Sequence, residues 1–232
     1  MTKLQEFTDF LKTVDLKGYR QKYSKIKILE MDMPKNIQAI SLLYKVYWSE
    51  KNFIDFDNFY KLYLKKYKTD LEAFRIETTL CKSDFYRGLE ARIYRTWAGL
   101  ITQIHAGYVA ESVFGNGSVK MSAELDHQGV DIRVEYKGHI LNYQIKKTSF
   151  SGVRSPRPLS KNKKLTGEVI DIFYEVPNSS YFEEPKTKKG DYKIPYKRFI
   201  EDKRLERLDN GFVIFTSYLF EQKKIEIDSK SN

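Results

Sequence analysis

The segment ELDHQGVDIRVEYKGHILNYQIKKTS, residues 124–149, holds the side chains best suited to a reaction. Asp131 opens an alternating stretch, GVDIRVEY. Lys137-Gly138 is a tight-turn pair, and HILNYQIKK returns as a second strand. Gln144 and Lys146 share a parity, so they project from one strand face. A hairpin folded this way sets a carboxylate, an amide oxygen and an ammonium side by side. Phosphodiester hydrolysis uses such a set. Carboxylate oxygens hold Mg²⁺, which neutralises phosphate charge and lowers the pKa of water. The lysine positions that water or stabilises developing charge. The backbone carbonyl of Ile145 stands where it could complete the metal's shell. Gln144 is a neutral amide and binds Mg²⁺ more weakly than a carboxylate. Asp126, five residues before Asp131 across the Gln128-Gly129 bend, is placed to supply the missing charge. Glu90, among Arg87, Arg92 and Arg95, is a further acid, with Arg92 a second possible site residue. The competing reading of Glu90 is an ion pair with one of those arginines. The competing reading of the whole hairpin is a half-buried ladder with solvated polar faces.

The elements that must position these residues change period midway. Leu4, Phe7, Phe10, Leu11 and Val14 make an apolar stripe at steps of three and four, predicting a helix that ends at Asp15 to Gly18. Pro34 and Asn36 open a segment IQAISLLYKVYW, and a third helix runs from Phe56 to Tyr67. The longest runs from Ser83, a capping residue, to about Phe114, with a break or bend possible at Gly88, Gly99 or Gly107. Gly115-Asn116-Gly117 is a turn. After the hairpin, residues 167–174 read as a third strand and Pro195 to Leu208 as a helix. FVIFTSYLF reads as a buried strand or strand pair, and a polar tail from Glu221 frays. Pro177 to Gly190 is a polar loop. These patterns predict one domain of mixed α/β (α+β) class: a helical region over about 1–114, a sheet region over about 115–220 and a tail over 221–232.

The chain has 232 residues, enough for a sizeable core. Its 41 Lys and Arg against 31 Asp and Glu give a net charge of +10, which favours a polyanionic partner, nucleic acid first. No apolar run reaches the roughly 18 residues of a membrane span, and the first residues are not a signal peptide. The single cysteine, Cys81, precludes an internal disulfide and a cysteine zinc site. It is expected to be buried and structural, in a protein of the reducing cytoplasm. His105 reads as a core histidine, His127 as a turn residue and His139 as an exposed strand start. The loop 149–164 carries Arg154 and Arg157, fit to read guanine, each good pair contributing about 1–3 kcal/mol. Lys147, Lys161, Lys163 and Lys164 suit phosphates.

The Asp, turn and Gln-x-Lys layout resembles the PD-(D/E)xK nucleases, with Gln144 where the second acid usually stands. Five blocks are more specific. VDLKGYRQKYSKIK, GLEARIYRT at 88–96, AELDHQGVDI at 123–132, YQIKKTS at 143–149 and LDNGFVIF at 208–215 resemble the TaqI restriction endonuclease family, in family order, over nearly the whole chain. The resemblance implies a restriction-endonuclease-like core, with a mixed central sheet flanked by helices. It also implies a Mg²⁺-dependent type II enzyme that cuts double-stranded DNA at a short palindrome, by analogy TCGA. It carries the catalytic aspartates onto Asp126 and Asp131, and the catalytic lysine into Gln144-Ile145-Lys146-Lys147. Lys146 fits the strand parity and Lys147 is the alternative. A palindrome is met most simply by a homodimer, and a restriction enzyme implies a cognate DNA methyltransferase in the host. Two other classes stay open: a DNA-binding protein with a disabled nuclease fold, and a nuclease selective for DNA structure.

Overall fold

The computed structural model describes residues 1–148 and 165–230, and it forms two compact units, Met1–Ile104 and His105–Asn232. The first unit is helical. α1 (Lys3–Thr13) is capped by Thr2, and it buries Phe7 and Leu11 from the predicted stripe. Asp15 starts a helix and does not merely end one. Its carboxylate accepts the Gly18 amide and caps α2 (Leu16–Tyr23). The segment after Pro34 is not one regular helix. It is a 3₁₀ turn at Lys35–Ile37, then α3 (Ile40–Leu43), then a π-helical turn at Tyr44–Ser49. The wider turn brings Tyr47 to the centre of the unit. Its hydroxyl accepts from Trp97 Nε1 at 2.7 Å and donates to the Ile54 carbonyl at 2.5 Å, so a fully buried tyrosine keeps both bonds.

α4 (Phe56–Lys66) and α5 (Lys68–Glu77) follow, then the 33-residue α6 (Lys82–Phe114). α6 begins one residue ahead of Ser83, and none of Gly88, Gly99 and Gly107 interrupts it. Gly88 has a packing reason. A Cβ there would meet Ile28 Cβ at 3.0 Å and the Leu29 amide nitrogen at 3.1 Å. Tyr23, Phe56, Tyr94 and Trp97 pack ring on ring, with Tyr23 and Tyr94 centroids 5.0 Å apart. Most of the abundant aromatics of this half are core residues.

The second unit carries the sheet. Its elements are β1 (Val119–Lys120), α7 (Ala123–His127), β2 (Ile132–Tyr136), β3 (His139–Thr148), β4 (Glu168–Glu175), α8 (Ser179–Glu183), α9 (Ile194–Glu201), β5 (Leu205–Arg207), β6 (Val213–Phe215) and α10 (Tyr218–Lys230). Among the described residues the main sheet has the order β1-β2-β3-β4. β1–β2 and β2–β3 are antiparallel and β3–β4 is parallel, which makes it mixed. One face is apolar, with Ile132, Val134, Leu141, Tyr143, Ile145, Ile172 and Tyr174 buried. Tyr143 packs edge-on against Phe220 of α10, and Tyr174 against Phe215 of β6.

Three expectations change here. The predicted helix 195–208 stops at Glu201, and Leu205–Arg207 pairs with Val213–Phe215 as an antiparallel ribbon. The polar tail is not frayed through residue 230, because α10 buries Phe220 and Ile227, and Asp228 accepts from Tyr136 and Lys137. The 177–190 stretch holds α8 and an isolated bridge from Lys186 to Tyr192. Among the described residues, no helix is long and apolar enough to cross a membrane.

Candidate active site

The approach to the site is set by α7. Ser122 Oγ accepts the Leu125 amide at its start. At its end Gly129 adopts φ +82, its amide bonded to the Asp126 carbonyl at 2.8 Å, while Val130 bonds back to Leu125 at 2.9 Å. A left-handed residue closes the helix without steric cost only as glycine. This turn separates Asp126 from Asp131 and delivers Asp131 to the mouth of β2.

Asp131 is 7% exposed. Its amide donates to the Tyr143 carbonyl at 2.9 Å, and its Oδ2 accepts the Ile145 amide at 2.6 Å. A carboxylate thus takes an amide of β3, between Gln144 and Lys146. Burial pushes the Asp131 carboxyl up to about 7, against the pull of the Ile145 N–H. The negative charge of Asp126 pushes the same way, and the ammonium of Lys146 opposes it. Asp126 and Lys146 are therefore electrostatic neighbours of Asp131.

On β3, Asn142, Gln144 and Lys146 project to the face opposite Tyr143, Ile145 and Lys147. Gln144 Oε1 is buried and has no hydrogen-bond partner among the described residues. Lys147 is exposed and in register with Tyr174, while Lys146 is in register with Phe173.

The donors here are carboxylate, amide and carbonyl oxygens, the set that suits a hard cation such as Mg²⁺. Among the described residues no three His, Cys, Asp or Glu side chains converge as a metal cluster. The residues fit the ion only if Gln144 Oε1 and the Ile145 carbonyl join Asp126 and Asp131. The buried Gln144 oxygen suits such a shell, since a buried acceptor without a partner is costly unless something binds it.

Two groups were not legible in advance. Asp171 of β4 is in register with Gln144, and its Oδ1 lies 3.9 Å from Lys146 Nζ. The alternation of EVIDIFY gave its parity, but not its neighbour. Asn142 is 1% exposed and ties three strands together. Its Oδ1 accepts from Arg133 Nε at 2.8 Å, and its Nδ2 donates to Thr166 O at 2.9 Å and Glu168 O at 3.4 Å.

Glu90 and Arg92 belong to the first unit. Glu90 accepts from Tyr23 Oη at 2.5 Å and pairs with Lys22 at 3.1 Å, so its partner is a lysine and not a neighbouring arginine. Arg92 donates to the Leu29 carbonyl at 3.3 Å. His105 is buried, and burial pushes its imidazole down to about 3, so it is a neutral core residue. Cys81 is exposed, contrary to its expected burial, because it sits outside the first turn of α6. Arg154, Arg157, Lys161, Lys163 and Lys164 lie outside the described residues.

A helical N-terminal half and a four-strand mixed sheet make up an α/β fold of the restriction-endonuclease-like class. The model of the TaqI restriction endonuclease family matches residues 4–226, and the chain belongs to that family. It is 32% identical to the type II restriction enzyme TaqI of Thermus aquaticus over 241 residues, which cover 99% of this chain and 89% of the relative. It is 30% identical to the type II restriction enzyme TthHB8I of Thermus thermophilus over 221 residues, covering 91% and 83%. No solved structure matches the chain.

Proposed function

We propose that the protein is a Mg²⁺-dependent type II restriction endonuclease of the cytoplasm. It cleaves double-stranded DNA at a short palindrome, by family resemblance TCGA. The observation that carries this reading is the Asp131 carboxylate bound to the Ile145 amide between Gln144 and Lys146. Asp126, Asp131 and the Ile145 carbonyl would hold the cation, with Gln144 Oε1 completing or buttressing the shell. The cation supplies charge neutralisation at the scissile phosphate and a lowered pKa for water.

The chain's own groups do the rest. The Ile145 N–H fixes the orientation of the Asp131 carboxylate, and burial excludes water from it. The Lys146 ammonium positions the attacking water and balances charge as it develops on the phosphate oxygens. Lys147, Lys161, Lys163 and Lys164 would neutralise flanking phosphates, and Arg154 and Arg157 would reach base edges. Cleavage leaves 5′-phosphate and 3′-hydroxyl ends. A two-fold dimer would cut both strands of the palindrome, and a methyltransferase would protect the host's sites.

The test is a digest of unmethylated plasmid with Mg²⁺ and with EDTA, followed by sequencing of the ends. Discrete fragments abolished by EDTA, with one palindrome at every end, are expected. One observation favours a second reading: the neutral Gln144 at the position of an acid suits a DNA binder without cleavage. Intact DNA that still shifts on a gel would establish that reading instead.

A further inference from the structure

The parallel pairing of β3 and β4 sets Gln144 beside Asp171 and Lys146 beside Phe173. Residues 142, 144 and 146 of β3 and 169, 171 and 173 of β4 share one face by parity. On that face the Lys146 ammonium has two partners from the same strand. The Asp171 carboxylate is 3.9 Å away, and the Phe173 ring centroid is 5.8 Å away. The side chains of Lys146 and Asp171 are 27% and 29% exposed, so water screens their attraction only in part.

We propose that Asp171 is a positioning residue for Lys146, supplying from β4 the negative charge that Gln144 does not supply from β3; this rests on the nuclease reading above. A lysine is a compact charge on a flexible four-carbon stem, and it aims poorly unless something restricts its rotamers. The amide of Gln144 carries no charge with which to do so. Asp171 is in register with that residue on the neighbouring strand, and its carboxylate reaches the ammonium. At 3.9 Å the pair holds Lys146 close without the short, charge-assisted bond that would keep it from phosphate. A carboxylate thus stands beside the ammonium from the neighbouring strand.

The experiment compares the wild type with Asp171→Asn, Asp171→Glu and the double variant Gln144→Glu/Asp171→Asn. Single-turnover cleavage is measured with Mg²⁺ on an oligonucleotide carrying the site mapped from the wild-type digest. Affinity for the same DNA is measured with Ca²⁺ in place of Mg²⁺. Asp171→Asn should slow cleavage by about 10–100-fold, while DNA affinity stays within about threefold. Asp171→Glu should recover most of the rate. The double variant should run at least about tenfold faster than Asp171→Asn alone, because it returns a carboxylate to the neighbouring strand.

A merely structural role predicts parallel losses of rate and affinity in all three variants, with lowered melting temperatures, and no rescue by relocation. That pattern overturns the proposal, as does Asp171→Asn cutting at or above the wild-type rate. Wild-type protein that cuts no DNA overturns the nuclease reading itself, an outcome visible before any variant is made.

Discussion

The Asp131 carboxylate accepts the Ile145 amide at 2.6 Å, so one oxygen of the candidate metal site also closes the entry of β2 onto β3. Asp131→Asn keeps an acceptor for that amide and removes the charge. Cleavage should fall by at least about a hundredfold, with DNA binding in Ca²⁺ nearly unchanged. Added Mg²⁺ should raise the melting temperature of the wild type and not of the variant. Retained cutting would remove Asp131 from the site.

Lys146 and Lys147 project to opposite faces of β3. Lys146→Ala should cost about 100–1,000-fold in single-turnover rate, and Lys147→Ala less than about tenfold. Lys147→Ala should act on DNA affinity, with a shallower salt dependence. If the two rates are reversed, the catalytic ammonium moves one place along the strand.

The Asp131 carboxyl, pushed up to about 7 from an ordinary value of 3.8, sets a sign for stability against pH. A carboxyl held high favours the folded state when protonated. Its contribution is complete below the ordinary value and is lost as pH rises through about 7. In EDTA the wild type should therefore lose stability relative to Asp131→Asn between about pH 4 and pH 8, with an upper bound of about 4 kcal/mol. Melting curves of both proteins across that range test this, and parallel pH profiles would mean that the carboxylate is not desolvated. Divalent metal should close the gap, because the cation favours the charged form.

Asn142 joins β2, β3 and the start of β4 through its amide. Asn142→Ala should destabilise the fold by about 2–3 kcal/mol, read as a lower denaturant midpoint, because Thr166 O is left without its side-chain donor. A midpoint within experimental error of wild type would show that water replaces the amide at no cost.

The candidate site is legible in the sequence where the chain is local. Asp126, Asp131, Gln144 and Lys146 fall on one helix turn, one tight bend and one hairpin, all set by short-range rules. Asp171 was invisible because its neighbour depends on a parallel pairing, and parallel strands are joined by long connections whose register no turn fixes. The same reasoning separates the elements. The apolar stripes of α1, α4 and α6 are long enough to define a helical period. Leu205–Arg207 and Val213–Phe215 are three residues each, too short for alternation to show. The sequence of α10 reads as tail because it is mostly polar, and its buried residues are just Phe220 and Ile227. Asp15 reads in sequence as a terminator because a short break between helices ends one and caps the next.

The exposure of Cys81 gives each chain a single chemical address. One maleimide dye per polypeptide can be attached without removing other thiols, at a position in the helical unit and away from the β2–β3 hairpin in sequence. Counting photobleaching steps on DNA-bound molecules would then give the number of copies at each site, and two-colour mixtures would show whether copies exchange between cuts.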